Sequence, residues 1–218
     1  MSKYEKSVSE QKFMALDIKK RDRILNAAMS EFRYGYKKAS TDVIVRKAGI
    51  SKGLLFHYFG TKENLYRFLV GYAMDIMQAD YFDMINHEQQ DILESIWQMA
   101  LLKKDISDRY PPIYNFMFGI HAHIKDSPNP EEISAIYSRK NRDMAQDMFN
   151  HCDTSLFRDD IDAKKAFYLI CGALGQLFDT YETQAISWYD GEIQSYECFL
   201  EELRGYIDIF RLCFYRNS

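Results

Sequence analysis

Apolar residues along this chain recur three and four positions apart rather than alternating, which is the period of helices that bury one face. The pattern predicts an all-α protein of about nine helices. The first spans 17–33, with Ile24, Leu25, Ala28, Met29 and Phe32 on its buried side, and Gly35 ends it. Two short helices follow at 41–48 and 52–59. Thr61 caps a longer one that reaches about residue 82, with Glu63 in its first turn and Leu65, Phe68, Leu69, Tyr72, Ile76 and Met77 along its apolar face. Further helices are expected at 88–110, 112–125 and 130–150, the last two with proline in the first turn, where its missing amide costs nothing. Residues 153–160 read as a loop. Two long helices close the pattern at 162–187 and 192–216, separated by the turn Trp188-Tyr189-Asp190-Gly191.

Composition narrows the function classes. Apolar residues make up 47% and charged residues 28%, which suits a chain that buries a core and is too hydrophobic for disorder. No run of about 18 uncharged apolar residues occurs, and the first ten residues are polar, so the expected location is cytoplasmic with no membrane partner. The four cysteines form no C-x-x-C pair and read as reduced thiols; His151 beside Cys152 has no further ligand at metal-binding spacing. No nucleophile with an adjacent base, no paired carboxylates on one apolar face and no glycine-rich phosphate loop emerge, so neither catalysis nor a cofactor is expected. The net charge of −4 conceals a split. Residues 1–66 hold 14 Lys or Arg against 7 Asp or Glu, whereas the remainder holds 14 against 25. A basic end attracts phosphates, although charge alone is equally met by a solvated helix face.

The segment from Ser40 to Phe59 reads as helix, tight turn, helix. Thr41 offers a capping hydroxyl, Ile44 and Ala48 face the core four apart, Gly49 takes a left-handed turn, Ile50 plugs the angle and Ser51 caps the second helix. On that helix Leu55 and Phe59 point inward, leaving Lys52, Gly53, Phe56, His57 and Tyr58 outward or sideways. Such a helix can enter a major groove, with Lys52 reaching guanine O6 or N7, Gly53 allowing close backbone approach and Phe56 packing on a thymine methyl. Thr41, His57, Tyr58 and Lys62 are placed for phosphate contacts. Taken singly, Phe56 and Tyr58 also fit a partly buried core position, and His57 an ordinary surface one.

At these residues the chain resembles the DNA-binding domain of the tetracycline-repressor (TetR) family. The resemblance rests on Ile24, Ala28, Phe32 and Gly35, on Thr41 and Ile44, on Ala48-Gly49-Ile50-Ser51-Lys52-Gly53, and on Phe56-His57-Tyr58-Phe59 with Lys62-Glu63-Asn64-Leu65. Two positions depart from the family pattern: Val45 replaces the usual Ala, and Phe56 replaces the usual Tyr, which removes a phenolic hydroxyl. The resemblance implies a helix-turn-helix DNA-binding domain over 12–62 and a helical ligand-binding and dimerisation domain over 63–218. It implies a homodimeric regulator, acting as a repressor on a roughly palindromic double-stranded operator and answering to a small apolar or amphipathic effector. The other reading open to the sequence is a DNA-binding protein that acts mainly through a protein partner.

Beyond residue 65 the sequence is less specific. Stripes of Phe167, Ile170, Leu174, Phe178 and Tyr181, and of Phe199, Leu203, Tyr206 and Phe210, suit a helical seam. The resemblance implies that this seam joins two subunits, while the stripes alone equally describe core helices of a monomer. Aromatic, methionine and polar residues between them supply pocket candidates in Trp97, Tyr114, Phe118, His121, Tyr137, Gln176 and Asp179, a set that also fits a well-filled core.

Overall fold

A computed structural model describes residues 7–187 and 196–216, with side chains described except at 136–142, 179 and 182–187. The expected turn at 188–191 therefore lies outside the described residues. The regular elements of the described residues are helices, with α1 (Val8–Met14), α2 (Ile18–Phe32), α3 (Thr41–Ala48), α4 (Lys52–Phe59), α5 (Lys62–Asp80), α6 (Ile92–Arg109), α7 (Pro111–Ala122), α8 (Pro130–His151), α9 (Ala163–Ser187) and α10 (Tyr196–Phe214). It divides into two units, residues 1–83 with 106–133, and residues 84–105 with 134–218.

The first unit is built around α2, which packs on α3, α5 and α7. Ile24, Leu25, Ala28, Met29 and Phe32 are buried as the periodicity requires, together with Ile44, Ala48, Leu55, Phe59, Leu65, Phe68 and Leu69. The chain turns sharply after α2 at Gly35, whose φ of 100° is a conformation that a side chain resists. Close by, the Cα of Gly119 in α7 lies so near the end of α2 that a methyl group there would stand 2.2 Å from the Arg33 carbonyl oxygen. Only glycine lets the two backbones meet at that distance.

Helix α1 was not apparent from periodicity. Its seven residues bury only Phe13 and Glu10, too few for a 3.6-residue stripe to register. It is stabilised at its start instead, where Ser7 Oγ accepts from the Glu10 amide and the Glu10 carboxylate accepts from the Ser7 amide. The Phe13 ring then sits edge-on to Tyr58 and Phe59 and at right angles to Phe68, with centroids 5.6, 4.9 and 5.6 Å away.

In the second unit, Ile92, Leu93, Ile96 and Ala100 of α6 are buried, as are Ala166, Phe167, Ile170 and Leu174 of α9 and Phe199, Leu203 and Ile207 of α10. Tyr196 donates its hydroxyl to the Ala100 carbonyl at 3.0 Å, so a buried polar group is satisfied. The end of α10 is fastened twice. Residues Phe157 and Tyr215 form an antiparallel bridge. The Arg158 amide donates to the Phe214 carbonyl at 3.0 Å, and the Arg216 amide to the Leu156 carbonyl at 2.9 Å. Asp91, just before α6, supplies the second fastening: its Oδ1 accepts from the Leu93 amide and the Tyr215 hydroxyl, each at 2.9 Å, and its Oδ2 pairs with Arg211 at 3.0 Å.

Candidate nucleic-acid interface

The site begins with how α3 and α4 are held at an angle. Ser40 is the residue that precedes α3 in extended conformation, and its Oγ faces the Val43 amide at 3.5 Å. The capping hydroxyl therefore belongs to Ser40 and not to Thr41, which is already the first helical residue. Gly49 ends α3 at φ 65° and ψ 42°, in the left-handed region expected of it. Ser51 then caps α4 by accepting from the Leu54 amide at 3.2 Å, and Thr61 caps α5 by accepting from the Asn64 amide at 3.0 Å. Each turn is thus closed by a short polar side chain or a glycine, and α4 is fixed without support from outside the unit.

Leu55 and Phe59 anchor α4 to the core. Lys52, Gly53 and His57 are exposed and Phe56 is half-buried; Gly53 and His57 lie away from the Leu55–Phe59 face, while Lys52, three residues before Leu55, stands at its edge. An alanine methyl at Gly53 would meet nothing within 4 Å, so the backbone there is open to an incoming surface. Tyr58 is half-buried, held between the rings of Phe13 and His57. Thr41 is half-exposed at the start of α3. Lys62 is half-buried, its ammonium 4.6 Å from the centre of the Tyr36 ring, and burial pulls its pKa below the usual lysine value against the opposing pull of Glu31. Lys52 Nζ lies 2.8 Å from Asp42 Oδ1.

A short helix, a glycine turn and a second short helix with a basic, small and aromatic outer face is the geometry of a helix-turn-helix. Residues 24–68 match the bacterial regulatory proteins of the tetR family. The match covers α3, α4 and the adjoining parts of α2 and α5. Solved structures of similar fold include a TetR family transcriptional regulator from Chloroflexus aurantiacus, 17% identical, with TM-score 0.67 over 95% of this chain and 98% of that one. The ketosteroid transcriptional regulator KstR2 of Mycobacterium tuberculosis is also 17% identical, with TM-score 0.62 over 93% and 97% of the two chains. PfmR of Thermus thermophilus is 20% identical, with TM-score 0.59 over 88% and 98%. No curated protein sequence matches the chain.

Tyr114 and Phe118 are brought together on α7, with ring centroids 4.3 Å apart, and His121 is exposed one turn further on. Trp97 lies in the second unit with the Arg204 guanidinium 4.8 Å from its ring centre. Gln176 is exposed and donates to Thr180 Oγ1 at 3.4 Å. Tyr137 and Asp179 fall in α8 and α9, but their side chains lie outside the described residues. Among the described residues no cluster of His, Cys, Asp or Glu is placed to hold a metal ion, and no helix is long and apolar enough to cross a membrane.

The seam residues separate into two groups. Phe167, Ile170, Leu174, Phe199 and Leu203 are buried within the second unit, and Phe178 and Tyr181 pack on Phe199 at 4.7 and 4.8 Å. Tyr206 is exposed, and Phe210 stands half-buried between Tyr206 and Phe214. The opposite faces expose a different apolar set: Tyr168 and Leu169 on α9, Ile209 and Leu212 on α10. Small residues lie among them, with Gly172, Ala173 and Gly175 exposed on α9 and Gly205 on α10. Sequence periodicity found the inner stripes because they are longer and more regular. The outer ones are interrupted by Gly, Lys and Glu, and register only once burial is known.

Proposed function

We propose that this protein is a regulator of the TetR family, a ligand-responsive repressor that binds a roughly palindromic operator as a homodimer. The observation that carries the reading is the accessible surface of α4, where Lys52 and Gly53 are exposed and Phe56 is half-exposed while Leu55 and Phe59 anchor the helix to the core. Lys52 and Gly53 occupy the first turn of α4, the part of a recognition helix that meets base edges. Thr41, His57, Tyr58 and Lys62 flank it and serve phosphates. The DNA-binding role covers residues 12–62, and residues 63–218 supply effector binding and dimerisation.

Two half-sites require two copies of α4, and the exposed Tyr168, Leu169, Ile209 and Leu212 with their neighbouring glycines offer a second subunit an apolar face that its own copy can match. The effector is small and apolar or amphipathic, in keeping with Trp97, Tyr114, Phe118 and Tyr137 among the aromatic residues of the chain. It releases DNA by favouring a state in which the two α4 helices no longer match successive major grooves.

The test is binding to a duplex of about 30 base pairs, selected by the full protein from a random pool, long enough for two half-sites a helical turn or more apart. Lys52→Ala is expected to weaken that binding by about 1–3 kcal/mol and to relax base preference at one position per half-site. Unchanged affinity and preference would remove Lys52, and with it the base-reading assignment of α4.

A further inference from the structure

We propose that α1 is a positioning element of the DNA-binding surface, and that through Phe13 it sets the roll of α4 about its own axis. The inference rests on the reading of α4 as a recognition helix and adds a helix that the reading does not use. Helix α1 ends at Met14, and the segment that matches the tetR regulators begins at residue 24, so nothing in that match accounts for it.

The need for a brace lies in α4 itself. The helix has eight residues, and its two buried side chains, Leu55 and Phe59, stand four apart on a single stripe. One stripe fixes where so short a helix sits but resists rotation about the helix axis poorly. Resistance has to come from a flank, and Tyr58 lies about 100° round the helix from Phe59. Helix α1 meets α4 there. The buried Phe13 sets its ring edge against both Tyr58 and Phe59, at 5.6 and 4.9 Å between centroids, and closes on Phe68 of α5. Of the helices that pack on α4, α1 does so most extensively. The brace is itself held at both ends: the Ser7–Glu10 capping box closes its start, and Arg21 of α2 donates Nη1 to the Met14 carbonyl at 3.1 Å.

Roll matters unequally to the two kinds of DNA contact. Base edges offer donors and acceptors in fixed directions, whereas phosphates draw cations through charge, which tolerates a displaced helix. A roll of about 20° carries a side-chain tip at the helix's outer radius of roughly 5–6 Å through about 2 Å. That is enough to break a hydrogen bond to a base, which needs a separation of about 2.7–3.2 Å. It is small beside the Debye length of about 8 Å over which a phosphate attracts a cation. With the Phe13 ring absent, α4 is therefore still drawn to DNA but no longer aligned to read it.

The experiment measures affinity across a salt series by fluorescence anisotropy, with the full protein, the selected duplex and a shuffled duplex of the same composition. Phe13→Leu keeps the site apolar and removes the ring. It is expected to bind the selected duplex about tenfold more weakly, the loss of one well-directed base contact. Binding to the shuffled duplex should change by about twofold or less, with the slope of log K against log salt unaltered, because no cation has been removed. A residue that merely kept the unit folded would lower the active fraction and weaken both duplexes by one factor. The ratio of the two affinities is independent of the active fraction, so partial unfolding cannot mimic the expected result. Should the leucine variant lose its helical content, Phe13→Met, which refills the site with an adaptable chain, is read on the same two duplexes with the same expectation. An unchanged ratio in the folded variant overturns the proposal, whether both affinities fall together or neither falls. Failure of the recognition-helix reading is visible separately, as full affinity of Lys52→Ala for the selected duplex.

Discussion

Tyr66 on α5 is 2% exposed, with Phe32 and Tyr36 at 5.2 and 5.3 Å and Phe116 at 6.0 Å. Burial disfavours its phenolate and raises its pKa from 10.0 to about 12. A folded-state value above the unfolded one means that the native state keeps a proton the unfolded chain has already lost. The stability this represents is complete below pH 10 and declines as pH rises from 10 to about 12. Over that interval unfolding free energy should fall by about 1.4 kcal/mol per pH unit from this group. Denaturant titrations of Tyr66→Phe should show a shallower alkaline decline than the native chain, and identical slopes would rule out the assignment. Other buried tyrosines, Tyr81 among them, act in the same direction and leave a residual slope. Nothing in the pattern of apolar positions distinguished Tyr66 from its neighbours. A tyrosine enters a periodic stripe whether its hydroxyl is wet or dry, and the difference is made by rings that lie far away in the chain.

The elements show which local signals are sufficient. Helices α2, α3, α4 and α5 were legible because each combines an apolar face with a cap or a turn glycine. The residue that caps was less secure than the helix it starts. Ser40 and Thr41 are both hydroxyl residues, and only the extended backbone at Ser40 decides between them. Helix α1 carries a capping box, Ser7-Val8-Ser9-Glu10, that could have been read, and Phe13 behind it. Its anchors, Phe59 and Phe68, lie more than forty residues away, so no local pattern could reveal them.

Helix α6 begins at Ile92 rather than 88 because the Asp91 carboxylate takes up the first free amides. That carboxylate also receives the Tyr215 hydroxyl and Arg211, so a single residue starts one helix and ties down the end of another. Asp91→Ala should cost about 2–4 kcal/mol, the sum of a lost cap and a buried hydroxyl left without its charged acceptor. Thermal unfolding monitored by circular dichroism measures it, and a change within about 0.5 kcal/mol would show the contact to be incidental.

At the scale of the whole molecule, charge and apolar surface are distributed to different ends of the sequence. The first 66 residues carry the basic excess and the exposed residues of α4, while the acidic remainder carries the exposed apolar faces of α9 and α10. Sequence reading names the inner stripes of those two helices as dimer candidates, and periodicity alone does not tell which of two apolar faces the chain's own core covers. Leu212 is 74% exposed, and Leu212→Glu would put a charge on the apolar face proposed to meet a second subunit. The expected outcome by sedimentation is a monomer that retains the native helical content and binds the selected duplex with greatly reduced affinity. A dimer of undiminished stability would move the interface elsewhere.

Two glycines described above divide the demands on this chain between its own fold and its partner. At Gly119 a methyl group would meet the Arg33 backbone, whereas at Gly53 it would meet only open space. A population of variants sorted for folding alone would therefore keep the first and let the second drift. On the reading proposed for α4, sorting for DNA binding would restore it, and the second glycine would then carry a requirement that no measurement on the isolated protein detects.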